Sequence, residues 1–412
     1  MVTSDYEIFS SSSKELSCMF AENTIKVKEF SENSGYGIRA LKDKKVGFSY
    51  CSSEKDIKDT IEKAATLSKF SPISTFSFQE KQHFEKLNSY DPKIAELSEE
   101  EMKSAVAQIA DIVKSVKARP RIYFSTGTEN ISLENITGFT GSYQKTGVSV
   151  YAEATLGKGY GFGYLSSISL PKDFSIVGQQ AAEMVKAMQK PKKPETGSYT
   201  VVFTQEALHS LLEVFLPSFS GDWKRKKIST LTNSIGKKIL SEKLSIYDNA
   251  TLPASGIQPF DDEGVRSCKR AIIENGVFKQ FIYNREIAAL DNVQESGFCT
   301  REGFSSPPSL GSSNLEISPG DYTSFEEELD DFLLVKSLHG THTSNMTTGD
   351  FGVEVNVAFH MKNGKQTSMR GFMISENIFN LFTRIKAIEK KQKIHDNLIC
   401  SRIAFENVKV VS

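Results

Sequence analysis

Near the N-terminus Leu16, Cys18 and Phe20 alternate with polar residues, and Ile25 and Val27 resume the alternation beyond Asn23. Period two on both sides of a turn residue predicts a β-hairpin. Gly35, Gly37 and Gly47 punctuate the strands expected next. The period then changes. Ile57, Ile61, Ala64 and Ala65 share one helical face, which predicts a helix from a Ser53 cap to about Lys69. After a less regular stretch at 70–92, Ser98 and Glu101 have the S-x-x-E spacing of a capping box, and Met102, Val106, Ile109 and Val113 follow at helical spacing.

Residues 121–165 read as several strands. Gly157, Gly159, Gly161 and Gly163 stand at every second position, baring one face of a strand and loading the other with Tyr160, Phe162 and Tyr164. The bare face invites close approach by another backbone. The spacing is not G-x-G-x-x-G and no helix opens directly after it, so it is not read as a phosphate loop. A helix over about 174–189 closes this half. The segment KPKKPETG, 190–197, is the expected domain boundary. Beyond it come a strand at 199–203 and a helix at 205–216, with Thr204 at its N-cap and Pro217 as its stop. Strands are expected at 269–274, 278–283, 332–338, 353–361 and 403–411, with one helix at 377–390. Asn275-Gly276 and Asn363-Gly364, each between apolar runs, predict tight hairpins. The fold class expected is α+β, with two domains of antiparallel sheets and packed helices. The N-terminal domain covers 1–190, as a hairpin–helix unit at 1–70 and a helix–sheet unit at 95–190. A strand-rich C-terminal domain covers 196–412.

The 412 residues carry a formal net charge of -1. Basic clusters at 186–193, 224–227 and 386–393 are balanced by acidic segments, whereas a nucleic-acid binder shows a sustained basic excess. No apolar run approaches the ~20 residues of a membrane helix. The chain does not start with a basic stretch leading into an apolar core, so a cytoplasmic protein is expected. Five scattered cysteines without a C-x-x-C pair are read as reduced thiols, not as a disulfide framework or thiolate zinc site.

The sharpest acidic cluster is Asp261-Asp262-Glu263-Gly264. It lacks the alternating ligands of a calcium loop and is read as a turn pairing with Arg266, Lys269 or Arg270. The run Glu326-Glu327-Glu328 with Asp330-Asp331 is expected to open or cover a solvated helix. Trp223, the only tryptophan, is a candidate interface anchor.

Two segments carry a family likeness. LHGTHTSNMTTGDFGVEVNVAFHMKNGK, 338–365, and PFDDEGVRSCKRAIIENGVFKQFIYN, 259–284, together resemble the C-terminal half of the TldD/PmbA family. The hairpin, GYGIRALKDKKVGFSY at 35–50 and the helix after it resemble the N-terminal part, so the likeness spans nearly the whole chain in the family's order. The resemblance implies that zinc-bearing TldD-type members carry an HExxxH helix shortly after the boundary strand. Such a helix points two histidines at one metal while its glutamate activates the bound water.

The matching segment here is VVFTQEALHSLLEVFLPSFSGD, 201–222. Three registers can be tried. From Gln205, with Glu206 and Ser210, it reads Q-E-A-L-H-S. From Leu212, with Glu213 and Pro217, it reads L-E-V-F-L-P, and from Glu213, ending at Ser218, E-V-F-L-P-S. None supplies two histidines. The only histidine is His209, while Leu208, Leu211, Leu212 and Phe215 form an apolar face, so a packed core helix is expected. The family's third ligand is a cysteine in a glycine-rich turn. The comparable DNLICSRIAF contains Cys400 but no glycine, and no ligand role is carried over. The likeness is therefore to the PmbA (TldE)-like branch without the zinc motif.

That resemblance implies a subunit of a two-component zinc metallopeptidase acting on short or unfolded peptides. No catalytic residue and no metal are expected in this chain. Zinc belongs to a TldD-like partner in a hetero-oligomer, or the chain forms a homodimer, with no nucleic-acid or membrane partner. His339 and His342, followed by Thr343, Ser344, Asn345 and Asp350, are expected to line the peptide, since such groups hydrogen-bond a peptide backbone. Two other readings stay open. The chain can be a stand-alone hydrolase, using His339, His342 and Asp350 around a metal or Ser344 in a Ser–His–Asp array, although no G-x-S-x-G surrounds Ser344. It can also be a non-enzymatic peptide-binding homodimer. His360 lies on a later strand.

Overall fold

The alternation around Asn23 extends into a long antiparallel hairpin in the computed structural model, which describes residues 4–294 and 297–412. Strands β1 (Asp5–Ala21) and β2 (Thr24–Lys42) flank Glu22 and Asn23, both at positive φ as a tight hairpin turn demands. The side chains of residues 27–30 lie outside the described residues, and the facing expected of Val27 with them. Strand β3 (Lys45–Cys51) pairs with β2, and helix α1 (Ile57–Leu67) packs Ile61 and Ala64 on Ile8, Ile38 and Ala40. A Cβ at Gly47 would lie 1.9 Å from the Ala64 carbonyl oxygen, so glycine sets that close approach. The Ser53 side chain makes no capping bond; a 3-10 turn at Glu54–Asp56 leads into α1 instead.

Helix α2 (Pro92–Ala95) precedes α3 (Glu99–Ser115), where Ser98 and Glu101 form the capping box in both directions. Met102, Val106, Ile109 and Val113 are fully buried. Strands β4 (Arg119–Asn135), β5 (Thr140–Leu156) and β6 (Gly159–Ser167) complete a six-stranded sheet of order β3-β2-β1-β4-β5-β6. Helix α4 (Ser175–Ala187) is the backbone that occupies the bare glycine face. Gly157 is not part of that face. It turns the chain between β5 and β6 at positive φ.

After residues 190–196 come β7 (Gly197–Phe203), α5 (Gln205–Phe215), α6 (Gly221–Arg225), β8 (Ile246–Asn249), β9 (Lys269–Glu274) and β10 (Val277–Phe278). Next are α7 (Arg285–Asp291), the ribbon of β11 (Cys299–Thr300) and β12 (Ser309–Leu310), β13 (Leu315–Ile317) and α8 (Phe325–Glu328). The chain ends with β14 (Asp331–His339), β15 (Asp350–Lys362), β16 (Lys365–Met369), β17 (Phe372–Asn377), α9 (Ile378–Thr383), β18 (Ile385–Ile388), β19 (Lys393–His395), β20 (Leu398–Cys400) and β21 (Ile403–Val411). One sheet has the order β10-β9-β8-β13-β20-β19. In the other, β15 pairs with both β17 and β14, so the path β14-β7-β21-β17-β15 closes on itself. Closure leaves fewer free strand edges. The largest core lies between these elements and α5 and α9. No helix among the described residues is long and apolar enough to cross a membrane.

Three expectations need correction. Of the strand expected at 278–283 only Phe278 pairs with β9, next to Val277; Phe281, Ile282 and Tyr283 are buried in irregular backbone. A short apolar run buried on all sides carries no period by which to tell the two apart. The helix expected at 377–390 stops at Thr383, because Ile385 and Ala387 alternate into β18 against β21. The acidic run does open a helix, the short α8, with exposed Glu326, Glu327 and Glu328 in its first turn. Glu326 pairs with Arg402, and Asp331 pairs with His360 and Lys362.

The third correction concerns Asp261–Gly264. Its partners are not Arg266, Lys269 or Arg270, which turn to Glu85, Glu316 and the Arg266 carbonyl. Glu263 is fully buried and meets Arg39 Nη1 at 2.5 Å, and Arg39 Nη2 reaches Glu7 at 2.8 Å. Arg301 bonds Glu7 at 2.8 Å, and its backbone N–H donates to Asp262 at 2.7 Å. Burial pushes the Asp261 carboxyl far above the carboxylate range and Asp262 up to about 6. The network joins the N-terminal sheet to the second half of the chain.

Candidate functional site

Helix α5 follows β7 with Thr204 at its N-cap, although the hydroxyl makes no capping bond. Ala207, Leu208, Leu211, Leu212, Val214 and Phe215 are all buried, so most of the helix surface faces the core. Pro217 falls in a 3-10 turn, Leu216–Phe219, that ends it. The seven positions of the three trial registers scatter. Gln205 is buried and its amide donates to the Cys400 carbonyl at 3.2 Å. Ser210 is half-buried, Leu212 is core and Glu213 is exposed. Ser218 is buried, with its hydroxyl 3.4 Å from the Met346 carbonyl. Cys400 is wholly buried, and burial pushes its thiol well above the usual range. Among the described residues no three His, Cys, Asp or Glu side chains converge as a metal site. Helix α5 carries one histidine, His209, where the resemblance looks for a ligand pair.

What α5 does open onto is a cavity of about 570 Å³ beside β6 and α4. Glu206 of α5 and Lys336 of β14 line it, with Phe162, Met184, Leu334 and Phe359 as apolar walls. A smaller hollow of about 270 Å³ shares Phe162, Tyr164, Glu206 and Lys336 and adds Ser210, His395 and Asp396. The His395 ring lies 4.7 Å from that of Tyr164 and 5.2 Å from that of His209. Burial draws His395 below the ordinary histidine pKa, against the pull of Glu206 and Asp396. The Tyr164 hydroxyl donates to the Asp396 carboxylate.

On the cavity wall Arg402 is saturated. It grips Glu326 through two bonds of 2.6 and 2.7 Å, and its Nε donates to Glu389 at 2.7 Å. Those bonds hold the Glu326 carboxyl down at about 2, against an ordinary 4.5. A depressed carboxyl pKa adds stability above its unfolded value, and that contribution disappears as pH falls through the folded one. Arg402→Met is therefore expected to lower the thermal midpoint fully above about pH 5, with the difference from wild type shrinking toward about pH 2. Thermal scans across that range would refute the pairing if the difference stayed constant.

The loop between β14 and β15 packs beside α5 and holds itself together. Asn345 accepts from the Thr347 and Thr348 N–H groups at 3.0 and 3.2 Å. Asp350 accepts from Thr348 at 2.6 Å and Asn377 at 2.9 Å, which lowers its pKa. The exposed rings of His339 and His342 are 6.5 Å apart, Thr343 bonds back to Gly340, and the buried Ser344 hydroxyl has no partner among the described residues. Neither histidine is bonded to Ser344 or Asp350, so no Ser–His–Asp array is assembled. His360 sits ten positions along β15 from Asp350, roughly 33 Å at strand rise, and bonds Asp331.

Lys336, Tyr164 and His395 were missed in the sequence. Lys336 had a signal, a lone cation in the apolar strand FLLVKSL. Tyr164 stands on the loaded face of the glycine strand, but nothing in the sequence ties it to His395, because 231 positions separate two rings that only the fold brings together.

Three family models match in chain order: PmbA/TldA metallopeptidase domain 1 over residues 6–68, the central domain over 75–189 and the C-terminal domain over 196–412. An uncharacterized protein of Methanocaldococcus jannaschii is 27% identical over 383 residues, 87% of this chain and 86% of that protein. Metalloprotease PmbA of Escherichia coli O157:H7 is 26% identical over 239 residues, 57% of this chain and 50% of that protein. In fold, the chain is similar to TldE from Thermococcus kodakarensis, with a TM-score of 0.91 at 24% identity, covering 99% of this chain and 97% of that one. The C-terminal match alone takes in more than half of the residues, and with the other two in their proper order it establishes that the chain belongs to the PmbA/TldD metallopeptidase family.

Proposed function

We propose that this chain is the zinc-free subunit of a two-component metallopeptidase acting on short or unfolded peptides. A TldD-like partner supplies the metal and the general base. This chain completes the chamber and helps admit the peptide. The observation that carries the reading is α5. It stands where the family places its zinc helix, yet its side chains pack the core and its open face holds Glu206, His209 and Ser210 instead of a ligand pair. A chamber built from two related halves needs one active metal, so the second half can lose its ligands and keep its packing. The five cysteines are unpaired, in keeping with a reducing cytoplasm.

The test is peptide cleavage by a purified TldD-type protein, assayed with and without this chain. Turnover that appears only with both present is expected. A partner that cleaves equally well alone would overturn the proposal.

A further inference from the structure

Lys336 is out of place by the usual rules of burial. On β14 it follows Leu334 and Val335, both in the core, and is itself half-buried. Among the described residues it has neither a hydrogen-bond nor an ion-pair partner. Its nearest ring, Phe359, has its centroid 6.0 Å from the ammonium. Arg402 on the same wall shows the contrast, with two carboxylates bound to it. Burial lowers the Lys336 pKa, and Glu206 opposes that only from a distance.

A half-buried cation without a partner is a standing cost to the fold. The cost is offset when a ligand brings the missing anion. Lys336 lines both the 570 Å³ cavity and the adjoining hollow, so a ligand in either reaches it. That size lies within the roughly 300–1,000 Å³ of small-ligand sites. Lys391 and Lys393 add further positive charge to the lining beside the paired Arg402, and Phe162, Leu334 and Phe359 supply an apolar surface. Glu206 and Glu183 repel an anion held away from the lysine, so the gain falls to one that contacts it directly.

We propose that Lys336 binds a carboxylate of a short peptide, either its C-terminus or an acidic side chain, while the aromatic wall holds a neighbouring apolar side chain. The proposal rests on the peptide-handling reading above, but its test uses this chain alone and reads binding, not turnover. Either reading can therefore fail without the other.

Calorimetric titration of the full chain would use three probes: acetyl-Ala-Ala-Phe, its C-terminal amide, and acetyl-Ala-Glu-Phe-amide. The free acid is expected to bind at least about tenfold more tightly than the neutral amide, as a charge-assisted contact in a partly dry site requires. Lys336→Met should abolish that preference and Lys336→Arg should keep part of it. The third peptide identifies the source. Binding like the acid points to a side-chain carboxylate, and binding like the amide points to the C-terminus. Equal affinity of acid and amide for the wild type, no binding by any of the three peptides, or a preference that survives Lys336→Met would overturn the proposal. The acid–amide comparison on wild type needs no variant to fold.

Discussion

Replacing Arg39 with methionine is expected to destabilise the fold by about 3–5 kcal/mol, the range for breaking a buried ion pair from one side. Arg39 is 1% exposed and serves two carboxylates, Glu7 at 1% and Glu263 at 0%. Its guanidinium also lies over the rings of Phe76 and Phe78, with centroids 4.9 and 5.7 Å away. Methionine keeps some of that packing but leaves two acids facing each other out of water. Glu7 would keep Arg301, and among the described residues Glu263 would keep only the Arg285 backbone N–H at 2.6 Å. Urea unfolding should show a large fall in the midpoint. Adding Glu7→Gln and Glu263→Gln should recover much of it by removing the stranded charges. Arg266→Ala is the control. Its pair with Glu85 is 51% and 71% exposed, so the loss should stay under about 1 kcal/mol. Equal losses at Arg39 and Arg266 would show that the buried network does not stabilise the fold.

That network also shows where sequence reading stops. Arg39 and Glu263 are 224 positions apart, while Arg266, Lys269 and Arg270 stood within seven of Glu263. Spacing favours neighbours, but chain topology decided otherwise. Features set locally were legible. Asn275-Gly276 and Asn363-Gly364 both turn hairpins at positive φ, because two left-handed residues in succession need those side chains. The capping box at Ser98 is likewise a matter of four adjacent residues. The helix expected at 377–390 failed for a tertiary reason. Ile378, Leu381 and Phe382 do sit on a helix, but hydrogen bonding to β21 draws Ile385 and Ala387 into a strand.

The site divides in the same way. The apolar face of α5 was legible because Leu208, Leu211, Leu212 and Phe215 recur at helical spacing. The cavity opposite was not, since β6, α4, β14 and the residues around β19 contribute to it from separate parts of the chain. In the loop from His339 to Asp350 the sequence showed hydroxyls, amides and histidines in one stretch. The structure spends Asn345, Thr348 and Asp350 on the loop's own bonds and leaves the two histidines exposed.

The glycine strand behind the cavity gives the second large effect. Gly163→Ala would place a Cβ 2.0 Å from the Val177 carbonyl oxygen, and at Gly161 the nearest atom, the Ala181 carbonyl, is 2.4 Å away. Both obstacles are backbone of α4, so no side chain can rotate aside. Helix and strand must separate, and that opens the packing of Val177, Ala181 and Val185 on the sheet. The cost should reach or exceed the top of the usual 1–3 kcal/mol for overpacking, about 3 kcal/mol or more. Phe162 and Met184, which line the cavity on this strand and helix, should move with it. Gly147→Ala distinguishes this steric account from a general dislike of alanine in strands. Nothing lies within 4 Å of its Cβ position, and alanine inside a strand is favoured by roughly 0.5–1 kcal/mol over glycine. Urea unfolding should therefore rank Gly147→Ala at or above wild type and Gly163→Ala far below it. If the two variants unfolded alike, α4 would not be held against β6 by the missing side chains, and the cavity wall would need another explanation.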